Sequence, residues 1–193
     1  MYLCSSVVVK KKMSETNSVS TKILVYDLPS ESLKDLSKED KDKVRAVRVT
    51  STKLLHSLGV QATESVILVA PSKVSKIEQV VQKVNELYSN LRLELHPNVV
   101  VLPLFAEQQV SLSSLARARV EEKIDEAINR INILLSNIST ITQSSTRRRI
   151  RANLQETRKQ FITLKQFCDE LGIQNLDFDY LISLIDQATS KLQ

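Results

Sequence analysis

Glycine and proline are scarce in this chain, and their scarcity limits the folds open to it. Only two Gly and four Pro occur among 193 residues. Because these two residues make most tight turns, the sequence predicts long regular elements and few tight hairpins, which favours helix. After Ser111 the only glycine is Gly172, and proline is absent. The second half of the chain is therefore predicted to be helical.

Four short segments of the first half have the composition of β-strands. Two are continuous apolar runs that end at a proline, as buried strands do. A third alternates leucine with charged residues, which is typical of a half-exposed strand, and the fourth is again apolar. The four predicted strands are Lys22–Asp27, Glu64–Ala70, Leu91–Leu95 and Asn98–Leu104.

Two amphipathic helices separate these strands. Apolar residues recur at helical spacing over 41–58, and Gly59 follows where a C-terminal glycine cap is expected. A second helix is predicted over 73–88, with Ser72 as its N-cap. The order strand, helix, strand, helix, two strands predicts an α+β fold with both helices on one face of the sheet.

The second half contains two long apolar seams with seven-residue spacing. They predict a helical hairpin of the coiled-coil type, joined near 142–146 and ended by Gly172. A third helix is predicted to start at Asp177 or Asp179. The seams are formed by Val120, Ile124, Ala127, Ile131, Leu134, Ile138 and Ile141, and by Ile150, Leu154, Thr157, Phe161, Leu164, Cys168 and Leu171.

These patterns divide the chain into a disordered tail (1–20), a sheet domain (21–106) and a helical region (107–193). Met1 and Met13 are both possible starts, because a Ser/Thr/Asn-rich stretch follows Met13. Two cysteines in unlike contexts indicate a reducing compartment, and no run reaches the ~18 apolar residues of a membrane span. We therefore expect a cytoplasmic protein without a membrane partner.

The first half resembles a known family. The sequence Y-D-L-P after an aliphatic strand, the helix end K-L-L-H-S-L-G-V and the strand E-S-V-I-L-V-A are similar to the small CRISPR adaptation subunit, over about residues 22 to 105. The resemblance implies a ferredoxin-like fold. It also implies that Asp27 faces its equivalent across a symmetric dimer and binds Mg²⁺, as in a metal-dependent nuclease.

A second resemblance covers about residues 22 to 190. Tyr26–Pro29, Leu54–Gly59, Ser65–Pro71 and the arginine-rich Arg147–Arg151 are similar to the N-terminal domain of the chromate-resistance regulatory proteins. That resemblance implies a ferredoxin-like sheet followed by a helical hairpin. It also implies a dimeric, non-enzymatic regulatory or scaffold protein associated with DNA or RNA, which is the leading functional prediction.

Asp27 has two interpretations at this point. A carboxylate suits a hard cation such as Mg²⁺, which can activate water for attack on a phosphodiester. Alternatively, Asp27 accepts backbone N–H bonds in the turn before Ser30. Glycine-rich phosphate loops, Ser/His/Asp sets and zinc-ligand spacings are absent from the sequence. No cofactor and no small-molecule substrate is therefore expected in the leading prediction.

The strongest charge signal is a basic run in the second half, in a chain of net charge +5. Arginine forks suit phosphate oxygens, so the run predicts a nucleic-acid surface. Alternatively, these residues pair with the acids of the preceding helix, and the hairpin serves as a protein-docking surface. The predicted binding residues are Arg147, Arg148, Arg149, Arg151, Arg158 and Lys159, and the acids are Glu121, Glu122, Asp125 and Glu126.

Overall fold

The computed structural model describes residues 21–32 and 36–192. They form a mixed α/β structure with one four-stranded antiparallel sheet and five α-helices. The tail predicted over residues 1–20 lies outside the described residues. No helix of the described part has the length and apolar character needed to cross a membrane.

The sheet is built by the first half of the chain. The elements of this half are β1 (Lys22–Asp27), α1 (Lys38–His56), β2 (Gly59–Thr63), β3 (Val66–Val69), α2 (Ile77–Ser89) and β4 (Asn98–Pro103). The strands lie in the order β2-β3-β1-β4, and every neighbouring pair is antiparallel. Strands β2 and β4 therefore form the two edges.

The central strand β1 packs on both of its faces, because its side chains alternate across the sheet. Leu24 and Tyr26 lie in the core beneath α1 and α2, whereas Ile23 and Val25 contact the core formed by the C-terminal helices. The continuous apolar run in β1 reflects this double burial. The predicted strand over 64–70 is confirmed as β3 and is buried in the same way.

Strand β2 was not predicted, and Gly59 begins it instead of capping α1. A Cβ built on Gly59 would lie 1.9 Å from the carbonyl oxygen of Leu68 on β3. Glycine is required here because the two backbones approach closely, not because a helix ends. Helix α1 ends earlier, at His56, with Ser57 as its C-cap.

The prediction of a strand over Leu91–Leu95 is wrong. This segment is irregular, and Arg92 and Glu94 have left-handed φ angles of 57° and 47°. Leu91 and Leu95 still pack against the core beneath α1 and α2. The alternation of leucine and charge therefore reflects alternating exposure, without a ladder of backbone hydrogen bonds.

Ser72 does not cap α2. A 3-10 turn over Pro71–Lys76 precedes α2, and the Ser72 hydroxyl donates to Glu170 Oε1 at 2.8 Å. The backbone N–H of Ser72 donates to the same carboxylate at 3.0 Å. Ser72 thus ties the start of this segment to the C-terminal helices.

The C-terminal helices cover the second face of the sheet. They are α3 (Ala106–Asn137), a 3-10 turn (Ile138–Thr140), α4 (Ser144–Glu170) and α5 (Phe178–Lys191). Helices α3 and α4 both contact β2, and α5 packs against both of them. The prediction of a coiled-coil hairpin is wrong in this respect, because α3 and α4 are joined through α5 and β2 and not by direct packing. Helix α4 ends as predicted, because Gly172 adopts φ 70° and Ile173 N–H donates to the Cys168 carbonyl at 2.8 Å, a Schellman arrangement.

Candidate nucleic-acid interface

Helix α4 carries all six basic residues that the sequence singles out, but it places them in different environments. Two of them are held by neighbouring groups. Arg147 Nε donates to the carbonyl of Ile141 at 2.8 Å and so closes the connection from α3. Arg158 donates to both carboxylate oxygens of Asp186 on α5, at 2.8 and 3.3 Å. Both side chains are already engaged in holding helix α4 to its surroundings.

Arg148, Arg149 and Lys159 differ from these two. All three are exposed, and none forms a salt bridge to any residue within 21–32 or 36–192. At about 100° per helical residue, they lie on one side of α4, about three turns from end to end. We call this set the basic strip. Arg151 is half-buried beside it and also has no salt bridge within the described part.

The start of α4 adds to the positive potential at one end of the strip. Gln143 occupies the N-cap position and makes no side-chain capping bond. The first-turn N–H groups therefore retain the partial positive charge of a helix N-terminus. A surface depression there is lined by Ser144, Ser145, Arg148 and Arg149. Phosphate oxygens are suited to this combination of N–H groups and guanidinium groups.

The acids of α3 do not pair with the run on α4 in the described structure. The glutamates of α3 pair instead with arginines one turn away on the same helix, as i,i+3 and i,i+4 neighbours do. These three glutamates are thus paired within α3, and none of them compensates the basic strip. The pairs are Arg117–Glu121 at 2.9 Å, Arg119–Glu122 at 2.9 Å and Arg130–Glu126 at 3.1 Å.

A groove of 670 Å³ continues from the basic strip to the β2 edge of the sheet. Lys159 and Glu156 line it from α4, Lys53 and His56 from α1, and Lys123 from α3. Three ammonium groups and one carboxylate give this groove a net positive charge. The sequence does not indicate Lys53 or Lys123, because only the packing of three separate helices brings them to Lys159.

His56 is neutral in this groove at pH 7. Burial, with a smaller contribution from the Lys123 charge, lowers the pKa of its imidazole to about 4. The Tyr26 hydroxyl lies 3.0 Å from His56 Nε2, and burial raises the pKa of that phenol. The neutral imidazole and the protonated phenol thus share a hydrogen bond, and the pair holds the end of α1 on the sheet.

Lys123 connects the groove to strand β2. Its ammonium donates to Gln61 Oε1 on β2 at 3.2 Å. Burial, followed by the nearby Arg119 charge, lowers the pKa of this ammonium. An anion entering the groove would offset both effects, because opposite charge favours the ammonium form. The electrostatics of Lys123 are therefore those of a group that gains from an anionic ligand.

Asp27 lies at the end of β1, opposite Asn98 of β4, with its side chain exposed. It lines a second cavity that shares His56 and Lys53 with the groove and also contains Glu31 and Glu64. Within residues 21–32 and 36–192, no group of three His, Cys, Asp or Glu side chains is placed to hold a metal ion.

One of the two glutamates in this cavity is engaged by arginine. Glu31 accepts from Arg45 Nε at 3.2 Å and lies 3.7 Å from Arg48. Its own backbone N–H, then the bond from Arg45, hold the pKa of Glu31 below its usual range. In the cavity beside Asp27, guanidinium groups therefore offset the negative charge of the carboxylates.

Comparisons with known proteins give no relative from which a role can be transferred. No family model, no curated protein and no solved structure matches the chain.

Proposed function

We propose that this protein is a non-enzymatic, nucleic-acid-associated regulatory or scaffold protein that holds a phosphate backbone on helix α4. The proposal rests on one observation. Arg148, Arg149 and Lys159 are exposed on one side of α4 without a salt bridge in the described part, whereas all three arginines of α3 have one. Uncompensated arginines on a rigid helix are suited to phosphate oxygens.

The dimensions of the strip are compatible with a nucleic-acid backbone. Residues 148 and 159 are separated by about 17 Å along the helix at ~1.5 Å per residue. That length corresponds to about five phosphates of one strand at ~3.4 Å each. The groove then adds Lys53 and Lys123 at the far end. These are backbone contacts, so we expect binding that depends strongly on salt and weakly on sequence.

The fold is consistent with the same proposal. We infer that residues 21–106 form a ferredoxin-like module, as in both families that the sequence resembles. The inference is supported by the element order β1-α1-β2-β3-α2-β4 and by the sheet order β2-β3-β1-β4. The chromate-resistance regulators provide the closer analogy, because that resemblance extends over the arginine helix.

The test is a fluorescence-anisotropy titration with duplex DNA, single-stranded DNA and RNA over a range of salt concentrations. The variant Arg148→Gln/Arg149→Gln removes two charges from the basic strip. The matched control Arg117→Gln/Arg130→Gln removes two charges from arginines paired on α3. Both variants have the same net charge, so any difference between them reports the position of the charge.

We expect the strip variant to bind its preferred nucleic acid about tenfold or more weakly. Its slope of log K against log salt should fall by up to about 1.8, at ~0.9 per lost phosphate contact. The control should retain most of the affinity and the slope. Absence of binding by the unchanged protein, or an equal loss in both variants, would overturn the proposal.

The same nucleic acids test the alternative that the protein is a nuclease. Asp27 is the candidate metal ligand for that activity, because it lies beside the groove. Adding Mg²⁺ or Mn²⁺ to the labelled strands should leave them intact if the protein only binds. Cleavage that is lost in Asp27→Ala would replace the proposed function with a metal-dependent nuclease.

A further inference from the structure

Strand β4 forms an exposed apolar edge of the sheet. It pairs with β1 on one side, and no described strand pairs with its other side. Val100 and Leu102 are each 42% exposed, and Phe105, just beyond the strand, is 64% exposed. Residues 97–105 contain no ionisable side chain. Natural sheets usually protect such an edge with charge, bulges or a covering element.

The backbone of β4 alternates between inward and outward groups. The N–H of Leu104 donates to the Thr21 carbonyl at 2.9 Å, so Leu104 faces β1. In an antiparallel pair the next inward positions are Leu102 and Val100. Val99 and Val101 consequently direct their N–H and C=O groups away from the sheet, where they have no described partner.

The outward positions are symmetric about residue 100. Val99 and Val101 are the central pair and offer one donor and one acceptor each. Pro97 and Pro103 occupy the two flanking positions of the same parity, and neither has an N–H group. The outward positions are therefore proline, donor, donor, proline in either chain direction. Such a symmetric pattern allows the edge to pair with an identical antiparallel edge.

We propose that the β4 edge binds a second copy of this chain, in an antiparallel two-fold pairing centred on Val100. Val99 then exchanges both backbone hydrogen bonds with the partner's Val101, and Val101 with the partner's Val99. Pro97 lies opposite the partner's Pro103, and neither residue has an N–H group that the pairing would leave without an acceptor. The result is a continuous eight-stranded sheet.

A second copy fits this edge better than a charged or unrelated strand. Each outward donor finds an acceptor in this register, and charge does not oppose the approach, because the strand carries none. The pairing also covers exposed apolar side chains on both faces of β4. Val101 borders an open groove with Ile77 and Val81 of α2 on one face, and Val100 and Leu102 are half-exposed on the other.

The register gives a decisive cross-linking test. Val100 faces the partner's Val100 as a non-hydrogen-bonded pair, with Cα atoms about 4.5 Å apart, which is within disulfide range. Leu102 and the partner's Leu102 are four residues out of register, about 14 Å apart along the strands at ~3.4 Å per residue. We therefore compare Val100→Cys with Leu102→Cys in full-length chain carrying Cys4→Ser, since Cys168 is buried.

Mild oxidation should convert most of the Val100→Cys protein into a covalent dimer on non-reducing gels and little of the Leu102→Cys protein. The two positions are equally exposed, so random collision would cross-link both to the same extent. Equal cross-linking, preferential cross-linking at residue 102, or none at either position would overturn this pairing.

Sedimentation velocity provides the independent check without cysteine chemistry. The unchanged protein should sediment as a dimer at micromolar concentration. Val101→Lys, which places a charge at the edge, should sediment as a monomer with an unchanged far-UV spectrum. Val49→Lys is the matched control, because Val49 is 49% exposed on α1, and it should remain a dimer. A monomeric unchanged protein, or a dimeric Val101→Lys, contradicts the proposal.

Discussion

The two edges of the sheet differ in cover and in charge. At the β2 edge, α3 and α4 pack over the strand, and three lysines surround the groove that remains. At the β4 edge, the strand is apolar, uncharged and open. One edge is suited to an anion and the other to another β-strand. The two surfaces that we propose for recognition thus differ in charge and in exposed backbone.

This difference follows from how the chain uses its turn residues. Gly59 lets β2 begin in close contact with β3, on the edge that α3 and α4 cover. The prolines at 97 and 103 instead bracket β4 and leave two backbone donors between them. The following predictions test the two edges, beginning with the largest expected effect.

The closed edge depends on Gly59. We expect Gly59→Ala to destabilise the protein by more than about 3 kcal/mol, since the added Cβ would lie 1.9 Å from backbone oxygen and the strand pair must separate. Gly172→Ala is the matched change. Its Cβ meets nothing within 4 Å, and only the φ of 70° is strained, so we expect a cost of about 1–2 kcal/mol. Urea unfolding measures both, and equal costs would show that β2 is not packed this closely.

His56 should make the stability of the closed edge depend on pH. The pKa of its imidazole is about 4 in the folded protein, against an ordinary value of 6.5. Above pH 6.5 the imidazole is neutral in both states. Below it, the unfolded chain binds the proton first, so stability falls until about pH 4. The loss is at most about 3.5 kcal/mol at ~1.4 kcal/mol per pKa unit, and solvent reaching the half-buried ring reduces it.

His56→Gln isolates this contribution, because glutamine accepts the Tyr26 hydrogen bond but does not titrate. Urea unfolding of both proteins at about pH 7 and about pH 4.5 should show the smaller loss in the variant. Carboxylates titrate equally in both proteins and cancel in the comparison. The same pH dependence in both would mean that the imidazole is hydrated in the folded state.

Arg158 should contribute little to stability and nothing to nucleic-acid binding. Both members of the Arg158–Asp186 pair are substantially exposed, 41% and 52%, and exposed pairs contribute less than about 1 kcal/mol. We expect Arg158→Gln to lower the free energy of unfolding by about 0.5 kcal/mol and to leave the binding affinity unchanged. A loss of affinity as large as that of Arg149→Gln would place Arg158 in the interface.

The buried strands and the helices could be predicted from the sequence because apolar periodicity follows burial directly. β1 and β3 are continuous apolar runs, and the apolar face of α5 is buried as expected, with Leu181 and Ile185 fully enclosed. The seams of α3 and α4 are buried only in part, because the two helices pack against α5 and β2 and not directly on each other. β2 could not be predicted, because G-V-Q-A-T has no continuous apolar run and begins with a residue that reads as a helix cap.

The sequence could predict which helix is basic, but not which of its basic side chains are free of intramolecular contacts. The sequence indicates a basic helix, yet it cannot show that Asp186 engages Arg158 or that Ile141 engages Arg147, because these partners are set by tertiary packing. Lys53 and Lys123 join the groove for the same reason. In segment 91–95 the sequence correctly predicts the alternation of exposed and half-buried side chains. The strand inferred from that alternation is nevertheless absent.

The central claim is that anion binding and self-association occupy opposite edges of the sheet, and it can be tested in one sedimentation experiment with a labelled DNA duplex. The unchanged protein should sediment as a dimer that carries the duplex. Arg148→Gln/Arg149→Gln should remain a dimer without the duplex. If this variant instead loses the dimer together with the duplex, or still carries the duplex as the unchanged protein does, the separation of the two surfaces is contradicted.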